Sequence, residues 1–152
     1  MISRIISGGQ TGADQAALDV AIELGIPYGG WIPKGRKTEN GTLPYTYKLK
    51  EMETSSYARR TEQNVVNSDG TLIISRGPLA GGSELTQKTA MMHDRPCLHM
   101  DLGAVNALQA VKGIRSWIVR HGIEILNVAG PRASEDPEIY DITAKILRAV
   151  LG

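Results

Sequence analysis

Apolar residues along the chain fall into short runs that alternate with stretches of helical spacing. Ile2, Ile5 and Ile6 form a first run that stops at Gly8-Gly9, the pattern of a buried strand ending in a tight turn. From Ala13, the positions Ala16, Ala17, Val20, Ala21 and Leu24 recur at helical spacing, with Gly25 placed to end the helix and Pro27 just beyond it. Tyr28 to Ile32 reads as a short second strand, weakened by its two glycines. Pro33 to about Glu53 mixes Pro, Gly, Asn and charges without a period, which predicts a long loop of the kind used as a lid. Ser56 suits the cap of a helix from Tyr57 to about Asn67, and Asp69-Gly70 turns the chain into the apolar strand Thr71 to Ser75. Gly77-Pro78-Leu79-Ala80-Gly81-Gly82 leads to Ser83, the expected N-cap of a helix through Met92, and Pro96 to Met100 reads as a fourth strand. Ala104, Leu108, Val111, Ile114, Trp117 and Ile118 mark one face of a long helix. Glu124 to Ala129 is a fifth strand that closes on Gly130-Pro131-Arg132, and Pro137 to Leu151 carries a last amphipathic helix.

Five strands alternating with five helices predict an α/β fold of three layers, a five-stranded, mainly parallel sheet with helices on both faces. With no repeat and no linker-like stretch, residues 1–152 are expected to form one domain. Right-handed crossovers then send the glycine turns after the first, third and fifth strands to the carboxyl edge of the sheet, where open parallel sheets bind ligands.

Composition narrows the chemistry. A content of 41% hydrophobic and 22% charged residues is too apolar for a disordered chain. A net charge of +1 supplies no overall field toward nucleic acid or an anionic membrane, so neither is an expected partner and any basic site must be local. Cys97 is the sole cysteine, which excludes an intrachain disulfide. The N-terminal residues lack the apolar run of a signal peptide, and the expected location is the cytoplasm.

The three glycine turns point to a small phosphate-bearing ligand, because each following helix offers free backbone N–H groups and the positive end of its dipole. Gly8, Gly9 and Gly12 permit close approach; Gln10 and Thr11 present backbone and side-chain donors, and Asp14 is suited to a ribose or pterin edge. Gly81, Gly82, Ser83 and Glu84 form the second turn, and Gly130 with Arg132 the third. Lys34 and Arg36 could close over an anion as a cationic lid, or belong to a solvated loop. Arg60 and Asn64 share a helix face at four-residue spacing. The first turn is neither a dinucleotide fingerprint nor a Walker loop, since no Lys-Ser or Lys-Thr follows its glycines. His93, His99 and His121 are scattered, which gives no basis for a metal site, and Ser75, Ser83 and Ser134 show no partnered base for nucleophilic catalysis.

Read together, Gly8-Gly9-Gln10-Thr11-Gly12-Ala13-Asp14-Gln15, Gly30-Trp31-Ile32-Pro33-Lys34-Gly35-Arg36, Asn64 with Ser68-Asp69-Gly70-Thr71-Leu72, and Gly81-Gly82-Ser83-Glu84-Leu85-Thr86 closely resemble the molybdenum carrier family, related to the molybdenum cofactor carrier of algae. The resemblance implies a Rossmann-like domain that binds the molybdenum cofactor, molybdopterin, as cargo without converting it, with molybdoenzymes as recipients. The long helices suggest a homo-oligomer, a dimer or a tetramer. The same loops are similar to the wider superfamily that includes the lysine-decarboxylase-like LOG proteins, which implies an alternative: a nucleoside 5'-monophosphate phosphoribohydrolase, or a sensor of a nucleotide derivative. The hydrolase block of that family, PGGxGTxxE, places its glutamate at Thr86 of this chain, and Glu84 falls two residues too early. Two residues turn a helical side chain by about 200°, so Glu84 is expected to face away from the place that Thr86 faces.

Overall fold

The computed structural model describes residues 1–152. The main sheet contains β1 (Arg4–Ile6), β2 (Tyr28–Gly29), β7 (Gly70–Ser75), β8 (Cys97–Asp101) and β9 (Ile125–Ala129), all parallel, in the order β2-β1-β9-β7-β8. The helices are α1 (Ala13–Leu24), α2 (Tyr57–Val66), α3 (Gly81–Met92), α4 (Ala107–His121) and α5 (Ile139–Leu151). The fold class read from the sequence is therefore the observed one, and none of these helices is long and apolar enough to cross a membrane.

Strand alternation divides the sheet chemically. Ile5, Leu72, Ile74, Leu126 and Val128 join residues of α1, α4 and α5 in one buried apolar cluster. The alternate positions Thr71, Ile73, Ser75 and Asn127 face the other side, toward α2 and α3. This second face is partly polar: Asn127 Nδ2 donates to Thr71 Oγ1 at 3.2 Å.

Local signals explain the helix limits. Gly25 ends α1 in the left-handed conformation, φ 69, ψ 26. Ser56 caps α2 by accepting from Arg59 N, and Asn106 with Gln109 forms a capping box at the start of α4.

Three expectations need correction. The second strand divides at Gly30, where a φ of 130 and packing directly on the Ser7 backbone leave no room for a Cβ; Tyr28–Gly29 stays on the main sheet, while β3 (Trp31–Ile32) leaves it. The expected loop from Pro33 to Glu53 contains structure of its own. β4 (Lys37–Thr38) and β5 (Gly41–Thr42) form a hairpin, and β6 (Lys50–Glu51) pairs in parallel with β3. Ser83 is not a cap: α3 begins at Gly81 after Ala80, placing Ser83 inside the first turn.

Candidate functional site

The carboxyl ends of β1, β9 and β7 are neighbours in the sheet, so the three glycine turns converge on one edge. A cleft opens there, bounded by the loop after β1, by α2, by the first turn of α3 and by the end of β9 with the loop beyond it. Its enclosed space is about 80 Å³, room for a small anion, and the rest of the cleft is open to solvent.

Two arginines give the cleft its charge. Arg60 reaches across from α2 and donates from Nη1 to the Gly8 carbonyl at 2.5 Å; a Cβ on Gly8 would overlap the guanidinium. Arg60 is only 8% exposed, and burial draws its pKa down, yet a guanidinium stays protonated. Arg132, from the loop after β9, is 3.6 Å from Glu135. Both guanidinium groups lie over the ring of Tyr57, at 5.5 and 5.7 Å, with Lys37 Nζ at 4.2 Å from the same ring. Opposite them is the start of α3, where Gly82 and Ser83 line the cleft and the missing Cβ of Gly82 leaves open space. Free N–H groups and the dipole there add to the positive potential.

The wall from α1 is different. Asp14, 8% exposed, lines the cleft and accepts the Gln10 backbone N–H at 3.2 Å. Burial pushes its carboxyl up to about 6, against the opposing pull of Arg60, the Gln10 N–H and Arg132. Gln10 also lines the cleft. Its Oε1 accepts from Thr11 N at 3.1 Å and Glu39 N at 2.9 Å, which leaves Nε2 buried without a partner.

Several residues of the glycine turns serve packing. Gly9 has a φ of 74, and a Cβ there would come within 3.0 Å of Leu43 and Leu49. At Gly12, φ 80, a Cβ would lie 2.5 Å from the Pro131 carbonyl, so this glycine lets the first turn close on the third. The Thr11 hydroxyl donates to Glu39 and accepts from Ala133 N at 3.0 Å. Gly130 lines the cleft while pressing on the Ile74 carbonyl and Ala13.

The remaining sequence candidates divide in the same way. Asn64 lines the cleft, but its amide is engaged with the backbone of Trp31, accepting from N at 2.7 Å and donating to O at 3.0 Å. Lys34 is exposed and Arg36 buried, both outside the cleft. The Arg36 guanidinium donates to the carbonyls of Leu43, Pro44 and Tyr47, so it holds the 33–53 segment together. Gly81 lies beside the cleft lining, and Glu84 points outward to Lys88 at 2.8 Å. Thr86 does line the cleft, and its hydroxyl donates to Gly82 O at 2.9 Å.

Sequence reading missed Tyr57, Asn127 and Glu135, which line the cleft, and Glu39, whose carboxylate takes Thr11 and Ser134 and ties the first turn to the third. Asn127 had a signal, a lone amide inside an apolar strand. Ser75, read as lacking a base, has its Oγ 2.6 Å from His99 Nε2; it is 2% exposed and also donates to Gly77 O.

Comparison with known proteins agrees with this architecture. The chain matches a crystal structure named "Putative molybdenum carrier protein", from Syntrophus aciditrophicus, at 58% identity and a TM-score of 0.98, covering 99% of this chain and 96% of that one. No curated protein matches. Residues 5–151 match the model of the Circularly permutated YpsA SLOG family. The strand order has the form of a permutation. If the C-terminus were joined to the N-terminus and the chain opened before β7, β7-β8-β9-β1-β2 would become strands 1 to 5, in the spatial order 2-1-3-4-5 of doubly wound sheets. The switch point of that order lies between β7 and β9, where the cleft opens. By match and by topology, this chain belongs to the Circularly permutated YpsA SLOG family.

Proposed function

We propose that the chain binds the phosphate of a small ligand in this cleft, and that the ligand is the molybdenum cofactor, carried and not converted. The observation that carries the reading is Arg60: a buried arginine with no ion-pair partner, lining a cleft with Arg132 and the first turn of α3. A buried cation with no carboxylate at ion-pair distance is costly, and a phosphate would offset that cost with charge-assisted hydrogen bonds. Phosphate binding assigns the anion to Arg60, Arg132, Gly82 and Ser83, beside Asp14, and the pterin to the space toward Gln10 and Asn127. The name of the 58% identical relative supports the cargo. Thr86, at the position of the hydrolase glutamate in the related block, supports binding without chemistry, because a hydroxyl cannot replace a carboxylate as proton donor.

A nucleoside 5'-monophosphate is the second reading, favoured by the position of the cleft at the sheet's switch point. Purified protein is to be mixed separately with released cofactor, adenosine monophosphate and molybdate. Retention of the cofactor through gel filtration, with slowed oxidation, is the expected result. Retention of the nucleotide alone would transfer the assignment to a nucleotide-sensing domain, and release of free base would make the protein a hydrolase.

A further inference from the structure

We infer that the cleft takes up its anion together with one proton, and that the proton is held at Asp14. The inference rests on the anion-site reading above and adds its pH dependence. Asp14 shares the cleft with Arg60 and Arg132, yet forms an ion pair with neither: Arg60 donates to the Gly8 carbonyl, and Arg132 sits against Glu135. One carboxylate oxygen, Oδ2, receives the Gln10 N–H, while Oδ1 receives no protein donor. An anion placed between the two arginines therefore competes for them with a buried carboxylate, whose negative charge repels it. Protonating Asp14 removes the repulsion and converts its free oxygen from an acceptor, which an oxyanion cannot use, into a donor, which it can.

The other charged groups around Asp14 do not take over this role. On α2 they are Arg60 and Tyr57, and in the loop after β9 Arg132 and the half-exposed Glu135. Glu39, at the β4–β5 turn, has its carboxylate committed to Thr11 and Ser134. Glu84 on α3 pairs with Lys88 outside the cleft, Lys37 lies over Tyr57, and no histidine lines the cleft. Burial already holds the Asp14 carboxyl at about 6 in the free protein, and a bound anion raises it further. Below that value Asp14 carries its proton before the anion arrives. Above it, each pH unit lowers affinity about tenfold, because the proton must come from solvent.

Sulfate is the decisive probe, since it stays dianionic where a phosphate monoester titrates and could bring the proton itself. Calorimetric titration of wild type and Asp14→Asn with sulfate, in buffers of different ionisation enthalpy, reads the proton count. Wild type is expected to take up close to one proton per sulfate at slightly alkaline pH, with affinity falling about tenfold per pH unit. Asp14→Asn should take up none, show affinity flat with pH, and bind more tightly than wild type on the alkaline side. Sulfate binding to wild type without proton uptake, or an unchanged pH slope in Asp14→Asn, overturns the inference and leaves the anion site standing. Absence of sulfate binding by both folded proteins at high concentration would overturn the anion site as well. If Asp14→Asn does not fold, the wild-type proton count decides alone.

Discussion

Gly8→Ala changes no charge and removes no polar group, yet it should disable the cleft. Gly8 does not have a positive φ, so alanine can adopt its backbone conformation. The conflict is spatial: the new Cβ would occupy the position of the Arg60 guanidinium, whose Nη1, Cζ and Nε are its three nearest neighbours. These atoms end a flexible side chain, so Arg60 swings away and the backbone stays. The direct loss is its hydrogen bond to the Gly8 carbonyl, 2.5 Å long. A hydrogen bond to a charged group contributes about 1.5–3 kcal/mol, less where water in the cleft can take over, so we expect a cost of about 1–2 kcal/mol. At about 2–4 °C per kcal/mol for a chain of this size, melting should fall by about 2–8 °C. Displacement of the cation should weaken phosphate-ligand binding about 10- to 30-fold, equivalent to about 1.4–2 kcal/mol. The test is a double-mutant cycle with Arg60→Ala, read by calorimetry and thermal melting. Both substitutions act on one guanidinium, so the double variant should bind like Arg60→Ala alone, within about twofold. Full additivity, or wild-type affinity in Gly8→Ala, would refute the reasoning.

Asp14→Asn should stabilise the protein at neutral pH. A folded carboxyl held at about 6 against an ordinary 3.8 costs stability above both values, here about 3 kcal/mol, and the cost disappears as pH falls below 3.8; melting curves of the variant and wild type should therefore converge below 3.8, separate as pH rises from 3.8 to 6, and keep a constant separation above that. Glu39→Ala should separate the first and third glycine turns, which Glu39 joins through Thr11 and Ser134, at a cost of about 1–2 kcal/mol by thermal melting. The hydroxyls of Ser134 and Thr11 hold the Glu39 carboxyl below 4.5, so that difference should shrink as pH falls below this value. A permutant with Gly152 joined to Met1 by a short flexible linker and opened between Asn67 and Ser68 should fold with the same sheet and keep its binding, checked by circular dichroism and calorimetry. A permutant that does not fold would count against the strand correspondence drawn from the sheet order.

The strands and helices were legible because their signals are local. Apolar runs such as Thr71 to Ser75, short and bounded by turn residues, read as buried strands, and Gly25 and Ser56 mark helix limits by their own conformational preferences. The 33–53 segment was not legible, because its strands are two residues long and its order comes from distant partners: Arg36 donates to three carbonyls, Tyr47 donates to Asp19, and Glu39 accepts from Ser134. The three glycine turns identified the edge of the sheet, but not which glycines face the cleft. Gly12 and Gly9 have the same composition signal as Gly82, and only the approach of Pro131, Leu43 and Leu49 separates packing from open space. Arg60 was placed on a helix face by spacing with Asn64, while its burial against Gly8, 52 residues away, is a tertiary fact. Tyr57 lines the cleft without any motif, and Asn127 with no signal beyond a lone amide in an apolar strand.

The central claim is that Arg60 and Arg132, facing the first turn of α3, hold the phosphate of the ligand. Its most direct test is retention of released molybdenum cofactor after gel filtration, by wild type and by the folded Arg60→Ala/Arg132→Ala double variant. The account predicts near-stoichiometric retention by wild type and none by the double variant. Equal retention by both, or none by wild type, would contradict it.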